Sequence, residues 1–393
     1  MNKEASRVDP SMTRRSLLKY SLGLGALGVA GLPLVGSYRN AANTLSDDPA
    51  NADQELNQEI EENRDWAYQV PAEVQQAIDR GLRYLAQTQN RDGSFGDRYQ
   101  LAGNIAVTAL ASLAFMAGGH MPGRGQYGNH VMRALEYVIS KEKRTPPAPG
   151  LLCHDTGIRQ IAMYSHGFGL LFLGEVFGMI PDAKLQKHVR GTIQRAIDLI
   201  SVTQNSKGGW RYEPIKSQAD ISVTITQIMA LRSVRNAGFF VEKSVIDHST
   251  NYVKSCQSPS DGGFSYYANQ GPSAFARSAA AVVALYCAGI YKGREITRGL
   301  DYLMQFKPGT AIMTREGQLH YFYGHYYAAQ AMWTAGGNYW RQWYPAICQD
   351  LLNRLPSNGQ GAWIDSSTCS HYATAMATII LQIPNNYLPI LQK

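Results

Sequence analysis

The chain is short of the features that announce most enzyme classes. Cysteine is scarce: Cys153, Cys256, Cys287, Cys348 and Cys369 are widely spaced, with no Cys-x-x-Cys pair. That argues against a disulfide framework and a cysteine-rich zinc module, and Cys287, within an apolar helical run, reads as core. There is no Walker loop, no dinucleotide glycine fingerprint after a strand, no His-Glu-x-x-His and no Gly-x-Ser-x-Gly. Nucleotide-dependent, zincin and α/β-hydrolase chemistry lose their usual carriers. No long hydrophobic run exists either. The longest apolar stretch, Leu22 to Val35, is about 14 residues and rich in Gly and Ala, too short for a comfortable membrane span. Charged residues are only 17% of the chain. Most of the +7 excess is local, because residues 1–42 hold six bases against two acids. The basic balance is therefore no nucleic-acid signature, and no nucleic-acid partner is expected.

What is present begins with an address. Thr13 to Lys19 read TRRSLLK, and the apolar run follows. Arg14–Arg15, then Leu17 and Leu18, resemble a twin-arginine export signal, with Ala41–Ala42 as a cleavage region; the resemblance implies an exported, periplasmic or cell-envelope protein. Residues 43–76 hold nine acids against Arg64 alone, a solvated linker or leading helix. Three segments are thus expected: the signal over 1–42, an acidic linker over 43–74 and one folded domain over 75–393.

The folded part repeats with a period of about 50 to 60 residues. Each copy holds one helix, a turn rich in Gly and aromatics, and a second, more apolar helix. First helices are expected near Val74, Asn129, Val189, Val245, Glu295 and Tyr344, and second helices near Asn104, Ser165, Ser222, Ala274, Gly324 and Ser370. Gly118–Gly119, Gly178, Gly238, Gly289 and Gly336–Gly337 suit helix ends. Arg80 to Phe95 and Arg195 to Trp210 keep identical offsets: basic-small, an apolar pair, Gln, Gly, aromatic. Copy four keeps Gln257, Gly262 and Phe264 with one residue inserted, and copy six keeps Gly361 and Trp363. Gln89 and Gln204 are placed to bond backbone at their helix ends, a structural role.

This spacing resembles the QW motif of triterpene cyclases and the internal repeat of protein prenyltransferase β-subunits, over roughly residues 75–385. The resemblance implies an all-α (α/α)6 toroid whose apolar second helices form an inner barrel. All inner N-termini then meet at one mouth, where backbone N–H groups and helix dipoles favour an anion or developing negative charge. Asn104, His166, Asp220, Ser222, Arg277, His325 and His371 open those helices, among Tyr164, Trp210, Tyr212, Tyr266, Tyr267, Tyr321, Tyr323, Tyr326, Tyr327 and Tyr372. An aromatic mouth over an apolar barrel suits an isoprenoid or other apolar small molecule. Asp220, His325 and His371 are the candidate catalytic groups. Trp210, Tyr212, His166, Arg277, Tyr323 and Tyr327 are the candidate substrate contacts. Asp220 is equally an ordinary N-cap, and each histidine an ordinary hydrogen-bonded wall residue.

The resemblance is incomplete. Squalene–hopene cyclases open an inner helix with an Asp-x-Asp-Asp-Thr cluster whose central acid protonates an alkene. Here the stretch is Gln218-Ala219-Asp220-Ile221-Ser222, with Asp220 alone matching. The chain is also too short for the second barrel of full cyclases. Prenyltransferase β-subunits bind zinc through Asp-x-Cys and a His. His325 resembles that His, but Ser273 to Ala276 lack Asp and Cys, so neither metal nor cofactor is expected. Three functions stay open: an isoprenoid-binding, cyclase-like isomerase; a non-catalytic binding or scaffold protein; and a polysaccharide-active toroid, which needs facing carboxylates from among Asp155, Asp220, Glu213, Asp261, Glu316 and Asp365. No obligate protein partner is evident, and association with a membrane surface is compatible with an apolar ligand.

Overall fold

The computed structural model describes residues 70–96, 101–154, 162–310, 318–357 and 360–392. The twin-arginine segment, most of the acidic linker, Asp155 and Glu316 lie outside the described residues. The chain divides into Met1–Ile60 and Glu61–Lys393, and everything described below belongs to the second unit.

Helices alternate between two kinds. The outer helices are α1 (Ala72–Thr88), α3 (Gly128–Ser140), α5 (Ala183–Thr203), α7 (Lys243–Ser255), α9 (Arg294–Met304) and α11 (Gly337–Arg354). The inner helices are α2 (Ile105–Ala117), α4 (Ala162–Val176), α6 (Ile221–Asn236), α8 (Phe275–Cys287), α10 (Tyr321–Ala335) and α12 (Ser370–Gln382). Outer helices bury one stripe, as α1 does with Val74, Ala77, Ile78, Leu82 and Leu85 at helical spacing. Inner helices are buried nearly all round: every α4 residue but Tyr164 is buried. Among the described residues no helix is long and apolar enough to cross a membrane.

Each inner helix packs on the next, and α12 packs back on α2, so six hairpins close a ring. The repeated turn motif makes the joints. Gly93, Gly150, Gly208, Gly262 and Gly361 all have positive φ. A Cβ on any of them would fall 2.1 to 2.7 Å from a carbonyl oxygen of the next outer helix: Arg133, Arg195, His248, Arg298 and, across the closure, Arg80. Only glycine satisfies both demands. The glutamines span the same joints. Nε2 of Gln89 donates to Gly93 O (2.9 Å) and His130 O (3.0 Å). Gln204 does so to Gly208 and Val245, and Gln257 to Gly262 and Glu295.

Four details differ from the sequence expectation. Helix α11 starts at Gly337 rather than near Tyr344, directly after α10, and carries Pro345 inside it. A proline normally marks a first turn, which is why the start reads late. Helix α5 likewise starts at Ala183, capped by Asp182, whose Oδ1 accepts from Leu185 N. Between α7 and α8 lies an antiparallel pair, β1 (Ser265–Tyr267) and β2 (Gln270–Ser273). Gly178 sits in a 3-10 turn, Phe177–Met179, instead of ending a helix in the left-handed region.

Candidate functional site

Loop 205–219 and the N-terminus of α6 build the centre of the mouth. Asn205 organises the turn: its Oδ1 accepts from Lys207 N and Gly209 N, and its Nδ2 donates to Ser217 O. Trp210 is buried, with its indole N–H on Ile200 O at 2.8 Å and its backbone N–H on Thr224 Oγ1 at 3.1 Å. It is a staple of the hairpin, not a surface offered to a ligand. The turn delivers Asp220 as the N-cap of α6. Its Oδ1 accepts from Ser222 N at 2.6 Å; its Oδ2, also buried, has no hydrogen-bond partner within 3.5 Å, and the nearest hydroxyls acting on the carboxylate are those of Tyr212 and Tyr266.

Tyrosines surround that free oxygen. Tyr164 of α4, Tyr212 of the loop, Tyr266 of β1 and Tyr323 of α10 all have hydroxyls held above the ordinary phenol range, first by burial and further by neighbours that include Asp220. Tyr212 and Tyr266 share a hydroxyl–hydroxyl bond of 2.5 Å, and the Tyr164 and Tyr212 rings lie 6.1 Å apart. Tyr323 donates to Ser222 O at 3.4 Å and meets Tyr327 edge-on at 4.8 Å. Helices α4 and α10 stand on opposite sides of the ring, yet Tyr164 and Tyr323 act on each other, so both face the axis. Tyr164, Tyr323 and Tyr372 feel strong burial yet are only half-buried. Both facts hold for side chains that line an enclosed opening. Below them the fully buried Tyr327 leaves its hydroxyl unpartnered.

Two arginines flank the rim. Arg277 donates to Phe264 O and Pro272 O and lies 6.0 Å from the Tyr266 ring. Arg211 lies over Tyr212 (5.3 Å) and Tyr267 (5.9 Å). Beside them a groove of about 510 Å³ runs between loop 205–219 and the β-hairpin, lined by Lys207, Lys216, Gln218, Tyr252, Tyr267 and Gln270.

The histidines are elsewhere. His166 accepts from Leu152 N at Nδ1 (3.2 Å) and faces Ala196 O at 3.2 Å; burial depresses its pKa to about 4. His371 bonds Gly96 N and Thr88 Oγ1 and packs on Tyr84 and Phe95, joining copy six to copy one. His325 lies in a box of Phe275, Tyr321 and Trp343 with neither ring nitrogen partnered; burial depresses its pKa to about 3. All three point at outer helices or turns. Of the nine candidates, Asp220, Tyr212, Tyr323 and Tyr327 meet at the axis, Arg277 reaches the rim, and Trp210, His166, His325 and His371 lie in the wall.

One recurring set escaped the sequence reading. Phe95, Trp210, Phe264 and Trp363 each donate a backbone N–H to a hydroxyl of the following inner helix: Thr108, Thr224, Ser278 and Thr374. In copy two Leu152 and His166 occupy these places. A Ser or Thr 11 to 14 residues after the turn aromatic was the available signal. Among the described residues no group of three or more His, Cys, Asp or Glu is placed to hold a metal ion.

Solved structures share this fold. The type II terpene cyclase MstE from Scytonema, without ligand, matches with a TM-score of 0.55 at 13% identity, over 81% of this chain and 100% of that one. The fold is an α/α toroid like that of a type II terpene cyclase. An MstE variant with its substrate, geranylgeranyl dihydroxybenzoate, matches with a TM-score of 0.54 at 12% identity, over 80% of this chain and 98% of that one. Another, holding the product merosterolic acid A, matches with a TM-score of 0.53 at 13% identity over 80% and 97%. In sequence, the squalene-hopene cyclase C-terminal domain family matches residues 174–341, from the end of α4 to α11. No curated protein matches the chain.

Proposed function

We propose that this toroid binds an apolar isoprenoid-type molecule along its barrel axis, with the reacting end at Asp220, and acts on it as an acid-catalysed cyclase or isomerase. The observation that carries this reading is the Asp220 carboxyl: one oxygen caps α6, and the other is buried and unpartnered among tyrosines. A buried polar atom without a protein partner is costly, and a bound ligand or water is one way to complete it. The chemistry available is transfer of a carboxyl proton to an alkene carbon. The π bond breaks, a C–H bond forms, and the aromatic faces of Tyr164, Tyr212 and Tyr323 stabilise the cation. The half-buried Tyr164, Tyr323 and Tyr372 offer aromatic faces on which an apolar chain would pack, and the similar cyclase is recorded with a geranylgeranyl compound as substrate.

The test is incubation of the purified protein with squalene and with geranylgeranyl-bearing aromatic acids, followed by mass spectrometry of extracted lipid. Turnover by the wild type that Asp220→Asn abolishes while binding persists supports the reading. Binding without turnover in either protein selects the non-catalytic alternative, which the replacement of neighbouring acids by Gln218 and Ile221 favours. A polysaccharide-active site is disfavoured. Asp261 and Asp365 are both spent on turn hydrogen bonds, to Gly263 and Ser273 and to Ser367 and Thr368. We also propose export through the Arg14–Arg15 signal; Arg14→Lys with Arg15→Lys should retain the protein in the cytoplasm on fractionation.

A further inference from the structure

The far end of the barrel, away from Asp220, is crossed by the last residues of the chain. After α12 come two 3-10 turns, Ile383–Asn385 and Pro389–Leu391. Their contacts are with the C-terminal ends of inner helices. Gln382 and Asn385 donate to Ala114 O (3.0 Å) and Ala117 O (3.2 Å) of α2. Ile390 N donates to Glu175 Oε2 of α4 at 3.0 Å. Trp333 Nε1 of α10 donates to Leu391 O at 3.0 Å. Helices α4 and α10 face each other across a ring of six. Consecutive residues bonded to both therefore lie over the axis. Leu388 and Leu391 are buried beneath the barrel, and two prolines limit the freedom the segment must lose to dock there.

The bond to Glu175 has a particular chemistry. Ser233 Oγ lies 2.7 Å from Glu175 Oε1 and 3.1 Å from Leu171 O. A hydroxyl has one proton, so it cannot donate to both. A neutral carboxyl resolves the conflict. Its O–H donates to Ser233 Oγ, Ser233 donates to Leu171 O, and the carbonyl oxygen of the acid accepts from Ile390. No cation compensates a charge here: Glu175 makes no ion pair among the described residues. Cys287 of α8 and Tyr326 of α10 face it with raised pKa values, Arg232 of α6 acts on Cys287, and the α2 end contributes only backbone and apolar groups. Arg190 of α5 lies over Phe177, beside the end of α4.

We propose that residues Ile383–Leu391 are a plug for the second opening of the barrel and that Glu175 is its latch, holding while the carboxyl is neutral and loosening when it ionises. Burial lifts the Glu175 pKa to about 7 in the closed state, against 4.5 for the ordinary group. Withdrawal of the plug lets water reach the carboxyl and lowers its pKa, so opening releases a proton: closure is strongest below about 4.5, weakens as pH rises toward about 7, and changes little above that. Acid closes the far end and the approach to neutral pH loosens it, giving apolar molecules a route distinct from the tyrosine mouth. The device does not depend on what chemistry the mouth performs.

Hydrogen–deuterium exchange of the full chain at pH 6.0 and 8.5, corrected for intrinsic exchange rates, tests this. Opening of residues 386–392 should rise about 10-fold between the two, while α6 amides stay protected. Glu175→Gln can still accept from Ile390 and donate to Ser233 but cannot ionise, so its plug should stay equally protected at both pH values. Ile390→Pro removes the latched N–H and should leave Leu391 and Gln392 fast-exchanging at both. Equal wild-type protection at the two pH values, or a rise that Glu175→Gln retains, would overturn the proposal.

Discussion

The backbone N–H of Trp210 rests on Thr224 Oγ1, 3.1 Å away, and both residues are fully buried. That one bond ties the turn of copy three to the first turn of its inner helix, directly behind Asp220.

Thr224→Val should therefore leave a buried N–H unpaired at nearly constant volume. A loss of about 1–3 kcal/mol is expected in urea unfolding, and Thr224→Ser should recover most of it.

Ring closure rests on glycine. Gly361 has φ +74° and a Cβ there would lie 2.6 Å from Arg80 O. Gly361→Ala should cost more than the ~1–2 kcal/mol of the left-handed backbone alone. Gly238 also has positive φ but nothing within 4 Å of its absent Cβ, so Gly238→Ala should show only the backbone part. Equal losses in the two variants would mean that the closure joint is not tight.

Acid should destabilise the fold through its wall histidines. His325 and His166 are buried with pKa values depressed to about 3 and about 4, while in the unfolded chain they bind protons near 6.5. Their contribution is present above pH 6.5 and is lost as pH falls toward those values, at about 1.4 kcal/mol per pH unit for each histidine. His325→Leu should lower the slope of unfolding free energy against pH between 6 and 4.5. An unchanged slope would refute the assignment.

Tyr327→Phe removes a buried hydroxyl that has no partner. The ligand-free protein should gain up to about 1 kcal/mol in thermal unfolding. The gain should vanish in the presence of a ligand that bonds the hydroxyl, which makes this variant a sensor for the occupied barrel.

Much of the ring is legible in the sequence. The Gln and Gly offsets of copies one, three and four announced joints that the structure builds from the same bonds, because a motif that satisfies backbone across a repeat interface must keep its spacing. Copy two was harder, since His166 replaces the hydroxyl and Leu152 the aromatic. The start of α11 was missed because Pro345 reads as a helix beginning when taken locally. The hairpin β1–β2 is too short to show a period.

The candidate site was legible only in part. Asp220 and its tyrosines could be placed at a helix start, since caps and inner helices are local features. The fate of the histidines could not. Successive residues turn by about 100° around a helix, so Tyr164 and His166, or Tyr323 and His325, point to nearly opposite sides. The order of residues determined that six hairpins form, that their turns repeat and that an acid opens the third inner helix. Which side of each inner helix faces the axis was decided by ring closure alone. Packing against outer helices on one side and an opening on the other rotates every inner helix to one setting, and that rotation sent the tyrosines inward and the imidazoles into the wall.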